Sequence, residues 1–140
     1  MQTTIGVSML TQDVKDDMGK IKAFPVATSS SGGEPNINVV GLLKIIDDQT
    51  IWMVDNFMDK TLSNLKERPR ASFLVWNADT KGAWQVKGDV EIVSSGEDYQ
   101  KAREWAHSLR DTLPAKNLLV MKVTEVYNVK SGPDAGKRIV

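Results

Sequence analysis

The chain has 140 residues, enough for one domain with a single hydrophobic core. Hydrophobic residues make up 41% and charged residues 26% of it, a mixture typical of a folded globular protein rather than a disordered or fibrous one. The 18 lysines and arginines balance the 18 aspartates and glutamates, so no long-range field gathers a polyanion and we expect no nucleic-acid partner. The absence of cysteine excludes disulfides and thiolate chemistry.

The N-terminal segment MQTTIGVSMLTQDVKDDMGK has neither a basic leader nor a continuous apolar run, so it is not typical of a signal peptide. Elsewhere no apolar stretch approaches the roughly 20 residues that a membrane span needs. We therefore expect a soluble, cytoplasmic protein with no membrane partner.

The first predicted element is a short helix, which Thr11 can cap and Gly19 can end. Its apolar face is formed by residues at helical spacing: Leu10, Val14, Met18 and Ile21. A strand, KAFPVATSS, follows, and Pro25 predicts an edge or an irregular position for it. SSSGGEPN is then a turn or loop.

A strand, a turn and a second strand are predicted next, in NINVVGLLKII, DDQ and TIWMVDNF. The first arm is apolar on both faces from Val39 to Leu43, which indicates a strand buried on two sides or curling around a barrel. A short helix from Asp59 to Arg68 follows, and Pro69 stops it.

The strands RASFLVWN and GAWQVKGDVEIV come next, followed by a helix from Glu97 to Leu113 and a last strand, LLVMKVTEVYNV. We expect residues 131–140 to be a loose tail of one domain that spans residues 1–140. Alternating βαβ units are absent, so six antiparallel strands with helices as inserts predict a mainly β (α+β) fold, a small β-barrel.

The sequence lacks the usual residues of a self-sufficient catalytic site. One histidine and no cysteine cannot form an ordinary zinc or transition-metal site, so we predict no metal. His107 is interpreted as a surface or packing residue rather than a general base. Patterns for a serine nucleophile, a Rossmann turn or a P-loop are also absent. Any demanding chemistry therefore has to come from a bound cofactor, and the catalytic residues stay unknown.

Asp59, Lys60 and Thr61 form the first turn of the short helix, where free backbone N–H groups favour an anion. Lys60 adds a positive charge and Thr61 adds a hydroxyl, so the three positions have the donors of a phosphate site. Asp59 offers a second interpretation, because its carboxylate can cap the helix and occupy the same donors. From the spacing alone both interpretations stay open.

The segment DKTLSNLKERPRASFLVW, followed by GAWQVKGDVEIV, resembles the core signature of the pyridoxamine 5′-phosphate oxidase-like family of FMN-binding split barrels. That family has a lysine that opens a short helix, an Asn-Leu pair, a Pro-Arg pair and a Q-V-x-G-x-V strand. The matching positions here are Lys60, Asn64 with Leu65, Pro69 with Arg70, and the strand from Gln85 to Val90. The order of elements from Leu10 to Val129 is similar too.

The resemblance implies a six-stranded antiparallel split β-barrel with short peripheral helices and FMN as cofactor. It implies that Lys60 and Thr61 hold the phosphate and that Gln85 reaches the flavin ring or ribityl chain. Further residues that it suggests for the cofactor are Asn38, Val39 and Val40 against the isoalloxazine, and Asp55, Asn56 and Asn64. For Gln85 and Asn38 the alternative is a polar residue on an outer strand face. The tryptophans that could flank a flavin, or pack in the core or a dimer, are Trp52, Trp76 and Trp84.

The function that the resemblance implies is that of a flavoprotein, an oxidoreductase or electron carrier with a small-molecule or protein redox partner. It also implies a homodimer with the flavin in the subunit interface. The Arg-x-His motif that ends the true oxidases is missing from KSGPDAGKRIV, so pyridoxamine phosphate is a poor candidate substrate. Two alternatives remain: a deazaflavin-binding relative, and a non-redox barrel that binds a ligand or a protein.

Overall fold

The computed structural model of the protein describes residues 8–140, which form eight strands and three helices. The strands are β1 (Phe24–Ser29), β2 (Pro35–Val40), β3 (Leu43–Ile45), β4 (Thr50–Asp55), β5 (Arg70–Trp76), β6 (Ala83–Val93), β7 (Asn117–Asn128) and β8 (Lys137–Arg138). The helices are α1 (Gln12–Met18), α2 (Lys60–Glu67) and α3 (Glu97–Leu109). Residues 1–7, on which part of the leader prediction and the start of the predicted domain rest, lie outside this description.

All strands belong to one antiparallel sheet in the order β2-β1-β5-β6-β7-β4-β3, with β8 added to β7. The two end strands of this order, β2 and β3, are consecutive in the chain and are joined only by Gly41 and Leu42. The sheet therefore has to curl, so that the end of β2 lies close to the start of β3. The predicted mainly β, antiparallel fold is confirmed.

The main core lies inside the curl, where side chains of β1, β5, β6 and β7 meet those of α1. Phe24 and Phe73 touch edge to face, with ring centroids 5.9 Å apart. Each fully buried aliphatic or aromatic side chain here stabilises the fold by roughly 1.5–3 kcal/mol. A second apolar cluster joins α3 to the other side of β4 and β7 through Trp52, Val54, Tyr99, Ala102, Ala106 and Leu118.

Tight packing between β6 and β7 depends on one glycine. The register between these strands shifts between Lys87 and Gly88, which marks a β-bulge. A Cβ atom on Gly88 would lie 2.2 Å from the backbone carbonyl oxygen of Lys122. Only glycine lets the two backbones approach this closely, and the bulge adds local twist to a sheet that must curl.

The predicted long strand NINVVGLLKII is wrong as a single element. It divides at Gly41 and Leu42, so that β2 pairs with β1 while β3 pairs with β4. Of the two alternatives for Val39 to Leu43, burial on both faces is not observed within one chain, because Val39 is 64% exposed; the strand belongs to a curled sheet. The strand pattern is local, whereas the choice of two different partners depends on how the whole sheet closes.

Pro25 is not on an edge strand, because β1 lies between β2 and β5. The ladder between β1 and β5 covers only Val26 and Ala27. Pro25 therefore stands just outside that ladder, where a residue without an N–H group is tolerated. Of the two predicted alternatives, the irregular position is the one observed.

Three further details differ from the sequence predictions. Thr11 precedes α1 but makes no side-chain capping hydrogen bond, and α3 ends at Leu109 instead of continuing to Leu113. The segment predicted to be a loose tail contains β8, which pairs with β7, and the amide of Ile139 donates to the carbonyl of Val126 at 2.8 Å. The tail is ordered there because β4 pairs with β7 only up to Lys122, leaving an edge of β7 to be covered.

Candidate functional site

A groove opens between β2, the loop from β4 to α2 and the loop after α3. It has two parts, which we call the recess and the cleft. The recess, about 230 Å³, is lined by Asn36, Ile37, Asn38, Phe57, Asp59, Lys60 and Thr61. The cleft, about 270 Å³, lies beside it, and most of its lining residues are apolar; the polar ones are Asn38, Asn56 and Arg110. Asn38 and Phe57 line both parts, so the groove is continuous across them.

The first turn of α2 faces the recess. Lys60 is the first helical residue, its side chain is exposed, and it forms no ion pair with any residue from 8 to 140. Asp59 makes no side-chain capping hydrogen bond, although its carbonyl oxygen accepts the first helical bond from Ser63 at 3.0 Å. The capping interpretation of Asp59 is therefore not what the structure shows. The N–H groups of this turn stay open to an anion.

Thr61 and Asn64 belong to a polar cluster beneath α2. The amide Nδ2 of Asn36 donates to Thr61 Oγ1 at 3.1 Å and to Thr28 Oγ1 at 3.3 Å, and Asn64 Nδ2 donates to Thr28 Oγ1 at 3.1 Å. Thr61 is only 2% exposed and forms the back wall of the recess, where its own hydroxyl proton can still be donated. Asn64 is buried, lines neither part of the groove, and fixes the helix to the sheet.

Asp55 and Asn56 hold the loop that borders the groove. Asp55 is fully buried, and its carboxylate accepts hydrogen bonds from the amide of Met58 at 3.0 Å and from Asn117 Nδ2 at 2.8 Å. Asn56 Oδ1 accepts the amide of Ala115 at 2.9 Å while the residue lines the cleft. Asp55 is therefore behind the groove wall, and Asn56 is in it.

The strand residues suggested for the flavin ring do lie together. Asn38, Val39 and Val40 all line the cleft, and Asn38 also reaches the recess. Val40 is buried, whereas Val39 points to the outer side of the sheet from an end strand. The groove thus adjoins the outer face of the sheet at this edge.

Gln85 lies on that outer face and lines neither part of the groove. In β6 it stands between Leu74 of β5 and Tyr127 of β7. The same face carries exposed apolar side chains, which we call the outer apolar face: Ile37, Val39, Leu74 and Trp76. Within one chain the structure therefore does not bring Gln85 to Lys60.

None of the three candidate tryptophans lines the groove. Trp52 is buried in the cluster beneath α3. Trp76 is 56% exposed on the outer apolar face. Trp84 is half-buried and donates from Nε1 to Asp17 at 2.8 Å.

Asp17 is a polar residue that the sequence patterns did not single out. It is 8% exposed and also accepts hydrogen bonds from Asn77 Nδ2 and Thr80 Oγ1, both at 3.0 Å. Burial opposes ionisation of this carboxyl, but the hydrogen bonds from Trp84, Asn77 and Thr80 outweigh it and lower the pKa of Asp17. We call these residues the Asp17 cluster; it fastens α1 to the β5–β6 turn.

His107 has a structural contact of its own. Its Nε2 atom lies 2.9 Å from the carbonyl oxygen of Leu113, a residue of the cleft wall. This contact fits the packing interpretation of His107, since it holds the loop after α3. Among residues 8–140 no three histidine, aspartate or glutamate side chains converge as metal ligands, and no helix of that part is long and apolar enough to cross a membrane.

Comparison with known proteins gives consistent sequence matches. Residues 10–130 match the family described as pyridoxamine 5′-phosphate oxidase. An uncharacterised protein of Methanocaldococcus jannaschii is 39% identical over 116 residues, which cover 81% of this chain and 77% of that protein. A pyridoxine/pyridoxamine 5′-phosphate oxidase of Acaryochloris marina is 29% identical over 90 residues, 64% of this chain. The match spans only 41% of that oxidase.

Solved structures with the same fold include two at about one quarter identity. HupZ of Group A Streptococcus is 26% identical with a TM-score of 0.78, and the match covers 91% of this chain and 100% of HupZ. An FMN-binding protein of Syntrophomonas wolfei is 25% identical with a TM-score of 0.72, and the match covers 81% of this chain and 80% of that protein.

Proposed function

The chain belongs to the pyridoxamine 5′-phosphate oxidase family, and on that premise we propose that it binds FMN along the groove and acts as a redox flavoprotein. The observation that carries this proposal is the uncapped first turn of α2 with Lys60, joined directly to an apolar cleft. When bound, FMN supplies hydride and electron transfer, and the protein's part is to bind and orient it.

The recess fits a phosphate monoester. Lys60 offers a charge, the first turn of α2 offers backbone N–H groups, and Thr61 offers a hydroxyl proton. Asp59 opposes binding, because its exposed carboxylate lines the same recess. Since that carboxylate does not occupy the helix donors, it weakens a phosphate site without blocking it.

The cleft fits a planar ring. Most of its lining residues are aliphatic, and its polar groups are Asn38, Asn56 and Arg110. Few polar groups within apolar walls are the usual composition of a site that orients a ring by shape and a small number of hydrogen bonds. The aliphatic residues that would contact the ring are Val39, Val40, Leu42, Val54, Met58 and Leu113.

We further propose that the protein is a homodimer in which Gln85 acts on the flavin bound to the partner subunit. Gln85 and the groove of its own chain are separate, whereas the outer apolar face around Gln85 is exposed. A second copy packed on this face would cover Ile37, Val39, Leu74 and Trp76. The groove of this second copy would then lie beside Gln85 of the first chain.

The substrate class follows from what lies near the cleft. Among the described lining residues Arg110 is ionisable, but no histidine or carboxylate lines the cleft as an acid or base. We therefore propose exchange of hydride or electrons with a small-molecule or protein partner instead of oxidation of pyridoxamine phosphate.

The visible absorption spectrum of freshly purified protein tests FMN binding, followed by mass identification of the released compound. With about 31 non-hydrogen atoms at roughly 0.3 kcal/mol each, FMN can gain on the order of 9 kcal/mol, which is sub-micromolar affinity. We expect flavin absorbance and saturable titration of apoprotein. Protein that carries no flavin and takes up no FMN contradicts the proposal. Turnover with NAD(P)H and an acceptor then separates a reductase from an electron carrier.

A mixed dimer tests the position of Gln85. Lys60→Ala and Gln85→Ala chains with different tags are expressed together, and the dimer with one chain of each is purified. If Gln85 acts across the interface, one site carries both substitutions and the other carries neither, so one FMN per dimer binds with wild-type affinity. If both residues serve the site of their own chain, no site with wild-type affinity remains.

A further inference from the structure

The side chain of Phe57 is exposed to solvent, although hydrogen bonds fix the turn that carries it. Its side chain is 75% exposed, the largest exposed fraction among the large hydrophobic residues of the described part of the chain. Both neighbours are fixed, since Asn56 Oδ1 accepts the amide of Ala115 and the amide of Met58 donates to Asp55. Met58 itself is buried. The exposed phenyl ring is thus presented by an ordered turn and does not come from a loose loop.

The position of Phe57 is the second observation. It lines both the recess and the cleft, and the other residue that does so is Asn38 of β2. Any ligand that fills both parts has to pass between these two side chains. A phosphate at Lys60 and a ring in the cleft therefore place the junction of chain and ring beside the phenyl group.

We propose that Phe57 packs on the edge of the flavin ring system where the ribityl chain leaves it. The inference rests on the proposed function and assigns a contact that the family resemblance does not supply. Burial of an exposed phenyl face against an apolar ring is favourable, and aromatic pairs gain further from edge or offset contact. Because the contact is with the ring, it contributes equally to ligands with and without the phosphate.

Titration of the purified dimer with two probes, FMN and riboflavin, tests the contact. Phe57→Ala is expected to weaken both by the same factor, about tenfold, a change typical of losing one well-packed aromatic contact. Phe57→Tyr keeps the ring and is expected to keep both affinities within about twofold. The matched control is Ile46→Ala, which removes an exposed apolar side chain that lines neither part of the groove and should change neither affinity.

Several results would overturn the assignment. Unchanged affinity of Phe57→Ala for both probes shows that the ring is elsewhere. Loss for FMN with riboflavin unchanged places Phe57 at the phosphate. Dissociation of the dimer by Phe57→Ala, measured by size-exclusion chromatography with light scattering, makes it an interface residue. If the wild-type protein binds no FMN, the proposed function itself is wrong. If the wild type and Phe57→Ala bind FMN equally well, only the Phe57 contact is wrong.

Discussion

Two polar regions of this protein are organised in opposite ways. In the Asp17 cluster a buried carboxylate accepts three side-chain hydrogen bonds, from Trp84, Asn77 and Thr80. In the groove the charge of Lys60 and the ring of Phe57 are exposed, and the N–H groups of the first turn of α2 have no side-chain cap. One region has satisfied its polar groups within the chain, and the other has not.

The difference shows that size alone does not locate the site. The surface depression beside Asp17 is about 440 Å³, larger than the recess or the cleft. Its central carboxylate, however, already has its hydrogen bonds, so a ligand there would have to compete with α1 and the β5–β6 turn. Unsatisfied donors beside apolar walls are the better sign of a binding site, and the four predictions below probe this contrast.

The largest expected effect is that of Asp17→Ala on stability. We expect the free energy of unfolding to fall by about 3 kcal/mol, because Trp84 Nε1 and the Asn77 amide lose a charged acceptor in a buried position. The FMN affinity of the folded protein should not change. Urea denaturation measures the loss, and Asp16→Ala, at an exposed position of the same helix, is the control. If Asp17→Ala bound FMN weakly but kept nearly normal stability, the Asp17 cluster would be a binding site and not a structural contact.

Lys60→Ala should show the opposite profile. Loss of a charge-assisted hydrogen bond to phosphate is expected to lower FMN affinity about 30-fold, or about 2 kcal/mol. Riboflavin affinity and stability should stay nearly the same. The control is Lys66→Ala, in the last turn of the same helix and also exposed. Full FMN affinity in Lys60→Ala, measured by fluorescence titration, would refute the phosphate assignment and leave the ring assignment intact.

Acid should act on the Asp17 cluster. The folded pKa of Asp17 lies below its ordinary value of 3.8, and Lys130 adds a favourable charge to the hydrogen bonds. The stabilisation is therefore fully present above the unfolded pKa and is lost as the pH falls through the folded pKa. We expect wild-type stability to fall more steeply than that of Asp17→Asn below about pH 4. Parallel pH profiles of the two proteins in urea denaturation would contradict this origin.

The smallest effect concerns Asp59. Since its carboxylate lines the recess and does not cap α2, Asp59→Asn removes repulsion of a bound phosphate. We expect FMN to bind about threefold more tightly, with no gain for riboflavin. Asparagine is as good a capping residue as aspartate, so the helix should be unaffected. Weaker FMN binding would mean that Asp59 serves the site.

The features that the sequence predicts well are those set by neighbouring residues. Helix α2, its opening Lys60 and the strands β5 and β6 follow from local spacing, Pro69 and the polar turn between the strands. The closing of the sheet is different, because division of one apolar run between two distant partners depends on long-range contacts.

The same distinction separates the site residues. Lys60, Thr61, Asn38, Val39, Val40 and Asn56 line the groove as a set. Asp55 and Asn64 lie beneath it, held by hydrogen bonds to Asn117 and Thr28. Local spacing could not reveal this, because these partners are far away in sequence. Asp17 gave no signal for the same reason, since Asn77 is 60 residues away. A sequence signal for Phe57 does exist, because it is a large apolar residue within the polar turn DNFMDK.

The cleft lies where the two end strands of the sheet, β2 and β3, are joined, since the connecting residues Gly41 and Leu42 form part of its wall. We call this junction the seam. A ligand held there would contact β2 and its connection to β3, so we expect its binding to stabilise the folded sheet. At a concentration 100 times its dissociation constant such a ligand would add about 2.7 kcal/mol to the stability of the folded form. Amide hydrogen exchange in the end strands should therefore report occupancy directly, slowing on both sides of the seam together.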